Sequence, residues 1–127
     1  MFLRFAVAIS LLICASALEA REVRHRIVLK PCQASTVIKG SIRSSGDTVV
    51  YIFEAHVGQH IFIEFQSSKL VSRVVLEAPS GHNVQNGARF DSILDESGTF
   101  RIHIESVQQS VGNFQLQICQ LIPTEQN

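Results

Sequence analysis

Tryptophan is absent from this 127-residue chain, tyrosine and methionine occur once each, and Lys+Arg and Asp+Glu balance at 11 apiece. With no Trp and a single Tyr, the exposed aromatic platform on which sugar-binding sandwiches depend is missing, so a glycan-binding role ranks below protein binding. Zero net charge removes the clustered cationic excess that nucleic acid requires. Charged residues are only 17% of the chain against 46% hydrophobic, a balance that excludes disorder. Beyond Ala20 no apolar run is long enough to span a bilayer, and no stretch carries a helical stripe. These absences leave one ordinary globular domain made of strands.

The N-terminus is built for export. One positive charge in Met1 to Arg4 precedes the apolar run Phe5 to Cys14, and small residues follow at Ala15, Ser16 and Ala17. This is the pattern of a signal peptide, cleaved after Ala17 or Ala20, and we take residues 1–20 as the leader and 21–127 as the domain. Secretion or a periplasmic location follows. Cys14 leaves with the leader, so Cys32 and Cys119 remain for an oxidising compartment, where a disulfide between them is the simplest reading and two free thiols the alternative.

The dominant period along the rest of the chain is two. Thr48 to Glu54, Ile61 to Phe65, Val71 to Ala78, Phe100 to Glu105 and Phe114 to Ile118 alternate in β-branched and aromatic residues. Weaker strands are expected at Ile27 to Lys30, Val37 to Ile42 and Arg89 to Leu94. Turn chemistry falls between them at Ser44 to Asp47, Val57 to Gln59, Pro79 to Gly81, Glu96 to Gly98 and Val111 to Asn113. About eight strands without helices indicate an all-β fold, an antiparallel β-sandwich of jelly-roll-like form. Alternation sends Tyr51, Phe53, Ile61, Ile63, Phe65, Val74, Leu76, Phe100, Ile102, Ile104, Phe114, Leu116 and Ile118 inward. It sends Arg101, His103, Glu105, Gln115, Gln117 and Cys119 outward, which makes the disulfide a surface staple between the first and last strands.

The spacing also carries a resemblance. Gly40-Ser41-Ile42, Asp47, Tyr51 to Ala55, Gly58-Gln59, Ile61 to Ile63, Leu76 to Gly81, Leu94, Ser97 to Ile102 and Gly112 to Leu116 resemble the bacterial pre-peptidase C-terminal domain over roughly 37–119. Gly40 to Ile42, Tyr51 to Ala55, Gly58-Gln59 and Ser97 to Ile102 are also similar to the stand-alone periplasmic inhibitors of g-type lysozyme. The resemblance implies a non-catalytic β-sandwich, and the second family implies a lysozyme as partner. This chain differs from those inhibitors before its last strand, where Ser106 to Gly112 is short and holds no Lys or Arg. Ser97-Gly98-Thr99-Phe100 is similar to a Ser-Gly-x-x-Tyr signature of inhibitors of other lysozyme types, but reads here as a turn feeding a strand with Phe100 in the core.

Catalytic chemistry finds little support. His25, His56, His60, His82 and His103 are scattered without the spacing of a metal site. Ser97, His103 and Asp95 sit on one short stretch without a nucleophile elbow, and Asp95-Glu96 are adjacent rather than opposed. We therefore expect no enzyme, no cofactor and no metal, and a protein partner met by loops at one end of the sandwich. Arg43 and Asp47, Lys69 and Arg73, and His82 and Arg89 mark the three loops expected to carry that contact. The alternatives are a structural or accessory envelope domain and, below it, a glycan-binding module.

Overall fold

The computed structural model describes residues 21–33 and 36–121, apart from the side chains of Gln85 and Asn86. The expected leader and its Cys14 lie outside the described residues. Nine strands follow one another: β1 (Glu22–Arg26), β2 (Val37–Ile42), β3 (Thr48–Ala55), β4 (His60–Ser67), β5 (Ser72–Glu77), β6 (Asn83–Asn86), β7 (Arg89–Ile93), β8 (Gly98–Ser106) and β9 (Gly112–Leu121). They form a five-stranded sheet ordered β1-β3-β8-β5-β6 and a four-stranded sheet ordered β2-β9-β4-β7. Without β1 the order is that of a jelly roll, with every connection from β2 to β9 except β5–β6 crossing between sheets. The all-β sandwich read from the sequence is the fold observed.

The thirteen residues assigned inward are all buried, and Phe53, Ile61, Ile102, Ile104 and Leu116 are almost completely so. Burying each side chain of this size contributes about 1.5–3 kcal/mol, so the alternation itself drives the two sheets together. Phe53 and Phe100 are direct partners on β3 and β8, and their rings stack with centroids 5.5 Å apart. Gly40 is dictated by this packing. A Cβ there would lie 2.4 Å from Cζ of Phe114 and 2.9 Å from the Tyr51 hydroxyl, so any side chain would displace the core.

Two expectations about the first part of the chain are corrected. The first strand is Glu22–Arg26 rather than Ile27 to Lys30, and it pairs in parallel with β3, with His25 opposite Tyr51. Ile27 to Lys30 instead crosses from one sheet to the other: the Ile27 amide donates to the Ile52 carbonyl, and the Gln120 amide donates to the Lys30 carbonyl. Ile27 and Leu29 pack on the core during that crossing, which is why the segment carries an apolar period without being a strand.

The crossing ends in the disulfide. Cys32 and Cys119 are bonded with their Cα atoms 4.7 Å apart, beside a parallel bridge between Pro31 and Gln120. This segment takes the edge of β9 that β2, whose pairing stops at Val37 and Gln117, leaves open. The bridge is not the surface staple expected from alternation, because Cys119 is fully buried although it points to the side of Gln115 and Gln117.

β6 was hidden in the segment expected to be the His82 to Arg89 loop; it forms a short edge hairpin with β5 through an irregular register at Leu76/Glu77.

Candidate functional site

Strand direction sorts the connections into two ends. The registers of β3 with β8 and of β2 and β4 with β9 bring residues 43–47, 68–71, 87–88 and 107–111 together at one end. Residues 56–59, 78–82 and 94–97 lie at the other, joined by the Gly58 amide donating to the Leu94 carbonyl and the Val57 amide donating to Ser97 Oγ. The two ends differ in charge. The first presents exposed Arg43 and Lys69, with its one carboxylate, Asp47, buried; the second holds His56, His82, Asp95 and Glu96.

The cationic end is held rigidly. Ser110 Oγ accepts the Val71 amide at 2.9 Å and donates toward the Val71 and Val107 carbonyls, while the Val107 amide donates to the Val71 carbonyl. Ser67 Oγ donates to the Leu70 carbonyl and Ser106 Oγ to that of Ser110, so the loop bearing Lys69 is clamped to the β8–β9 hairpin. Asp47 anchors the remaining loop: its carboxylate accepts the Arg21 amide at 2.9 Å, and its own amide closes a turn onto the Ser44 carbonyl.

The hairpin tip is strained. Gln108 and Gln109 both lie in the left-handed region, with φ of 54° and 55°, and the Ser110 amide donates to the Val107 carbonyl. This is a type I′ turn without the Gly or Asn that normally relieves it, at a cost of about 1–2 kcal/mol per residue. Such strain persists only where surrounding contacts enforce it, as the Ser110 network does here, and it gathers at functional sites. Reasoning from the sequence missed it. The turn was expected at Val111 to Asn113, whereas Gly112 opens β9 with its backbone packed against Leu70.

The six residues proposed as contacts do not form one site. Arg43 and Lys69 share the cationic end and make no ion pair among the described residues. Asp47 is at the same end but buried, so it positions the loop rather than presenting a charge. Arg73 lies on the outer face of β5, where it donates to both carboxylate oxygens of Glu105 at 3.1 and 3.3 Å. Arg89 stands on the outer face of the other sheet, 3.4 Å from Glu64 and over the Phe62 ring at 5.1 Å. His82 belongs to the opposite end, where Ser80 Oγ lies 2.6 Å from its Nδ1 and 2.9 Å from Glu96.

Ser97 and His103 do not meet. His103 pairs with Glu77 at 2.8 Å on the outer face of its sheet, while Ser97 holds the Val57 amide at the loop end. His60 contacts Asp91 at 2.6 Å. Among the described residues no group of three His, Cys, Asp or Glu side chains is placed to hold a metal ion. Tyr51 lies in the core, and burial pushes its phenol above the ordinary value, so it is protonated at neutral pH.

Solved structures share this architecture. The periplasmic inhibitor of g-type lysozyme from Aeromonas hydrophila superposes with a TM-score of 0.53 at 18% identity, over 76% of this chain and 99% of that one. The pre-peptidase C-terminal domain of a Bacillus anthracis collagenase gives 0.60 at 23% identity, over 76% and 95%. The Salmonella Typhimurium inhibitor of g-type lysozyme gives 0.51 at 12%, over 75% and 96%. At these identities the likeness establishes the fold, the one both resemblances in the sequence implied. No protein-family model matches the chain, and no curated protein does.

Proposed function

We propose that this chain is an exported, non-catalytic protein-binding module that blocks a lysozyme, of g-type in the first instance, with its cationic loop end. The observation that carries this reading is the convergence of Arg43 and Lys69, both unpaired among the described residues, with the strained Gln108-Gln109 tip on one clamped surface. A glycosidase cleft carries carboxylates, and cations presented on preorganised loops are complementary to it without a large ordering cost. Two further facts support the reading: the disulfide suits an oxidising compartment, and two of the fold relatives named above are periplasmic lysozyme inhibitors. The short Ser106 to Gly112 segment, which lacks Lys and Arg, then contributes shape and amide hydrogen bonds while the charge comes from the neighbouring loops.

The test is cell-wall turnover by g-type lysozyme in the presence of the oxidised protein. Inhibition is expected, and Arg43→Glu with Lys69→Glu should weaken it at least roughly tenfold by setting carboxylate against carboxylate. His82→Ala, at the opposite end, should leave it unchanged. Equal inhibition by the charge-reversed variant, or none by the parent protein, removes this reading.

A further inference from the structure

The side of the sandwich between the β1 and β2 edges is open, and it carries a second surface that does not depend on the loop-end reading. Both strands are edges, so the outer backbone of each is unpaired among the described residues. Between them runs a groove of about 490 Å³ lined by Val23, His25, Ile38, Gly40, Tyr51 and Phe114. Val23 and His25 face it because they pair with Val49 and Tyr51, both core residues, while Arg24 and Arg26 face the outer side with Val50 and Ile52.

Tyr51 is the unusual group. It is only 3% exposed, its ring stacks on His25 at 5.3 Å, and among the described residues its hydroxyl has no hydrogen-bond partner. Among the described residues no side-chain oxygen sealed from solvent lacks a partner, so the hydroxyl reaches water where it opens on the groove, at the point that Gly40 leaves clear.

We propose that an extended acidic peptide segment adds to β1 as a further strand, its apolar side chains entering the groove and its carboxylates meeting Arg24 and Arg26. Strand addition supplies backbone bonds to the free edge, and alternate side chains then read the two faces. Charge selects the occupant. Arg21, Arg24, Arg26 and Lys39 stand on or beside the two edges against two carboxylates, Glu22 at 2.5 Å from Arg24 and Glu54 at 3.9 Å from Arg26, which leaves a cationic excess; the paired Arg24 and Arg26 side chains are still 69% and 70% exposed. Edge strands are commonly guarded by charge, and a guard with a cationic excess disfavours a second copy of β1 while admitting acidic segments. The Tyr51 hydroxyl exchanges water for a partner on the bound segment.

The experiment uses the full chain in its oxidised form and a fluorescein-labelled peptide of alternating Glu and Val, followed by anisotropy, with amide exchange of β1 read by NMR. Saturable binding and new protection confined to Val23–Arg26 are expected. Arg24→Glu with Arg26→Glu should weaken binding roughly tenfold, and N-methylation of one edge of the peptide should do the same. Tyr51→Phe should weaken it several-fold while leaving thermal unfolding of the free protein no lower. Equal binding of a Lys/Val peptide, indifference to N-methylation, protection at β6 or β7 instead, or dimerisation of the free chain through β1 would each overturn the proposal.

Discussion

Removing the Cys32–Cys119 disulfide is expected to lower the unfolding free energy by about 4 kcal/mol, a large share of a small domain's stability. The bond joins residues 87 positions apart and so restricts almost the whole unfolded chain of the domain. Cys119 is fully buried, and among the described residues the segment that delivers Cys32 holds the end of β9 by two backbone hydrogen bonds, at 2.8 and 3.0 Å. Without the sulfur bridge the crossing keeps those two bonds and the packing of the half-buried Ile27 and Leu29, and β1 before it keeps its ladder to β3. Urea unfolding of the oxidised protein should be compared with that of Cys32→Ala/Cys119→Ala, which leaves no buried thiol. A loss below about 1 kcal/mol would show that the crossing segment is held by its other contacts.

Phe53→Ala and Phe100→Ala are each expected to cost about 3–5 kcal/mol, because both rings are almost completely buried and each forms much of the other's packing surface. The pair sits where the central strands β3 and β8 meet, so no loop can collapse to fill the space. The double variant should lose less than the sum of the two, since the first truncation already removes the stacked contact. Strict additivity would mean that the rings are supported by the opposite sheet rather than by each other.

The interior was legible in the sequence because a sandwich core obeys a single rule, the period of two, and β3, β4, β8 and β9 follow it. Where burial does not govern, that rule says nothing. β1 contains one apolar residue, Val23, among five exposed positions, and its pairing rests on backbone bonds that leave no hydrophobic mark. Ile27 to Lys30 shows the reverse error, an apolar period produced by a crossing rather than a strand. Cys119 was placed on the correct side of its sheet, but its burial depends on a segment distant in sequence that passes over it.

The candidate site was legible only residue by residue. Arg43 and Lys69 could be picked as exposed loop cations, yet their meeting at one end, with His82 at the other, is a consequence of the order in which strands alternate between sheets. Gln108 and Gln109 were invisible for a different reason. Glutamine has no preference for the left-handed region, so their conformation is imposed by the Ser110 clamp and by the register on either side of the hairpin.

The most direct measurement of lysozyme binding at the cationic end is a titration of the isotopically labelled, oxidised protein with g-type lysozyme, followed through its backbone amides. Saturable shifts are expected at Arg43 to Gly46, Lys69 and Gln108 to Ser110, with His56, His82 and Glu96 unmoved. Shifts confined to the histidine-bearing end, or no shift at stoichiometric lysozyme, would contradict it.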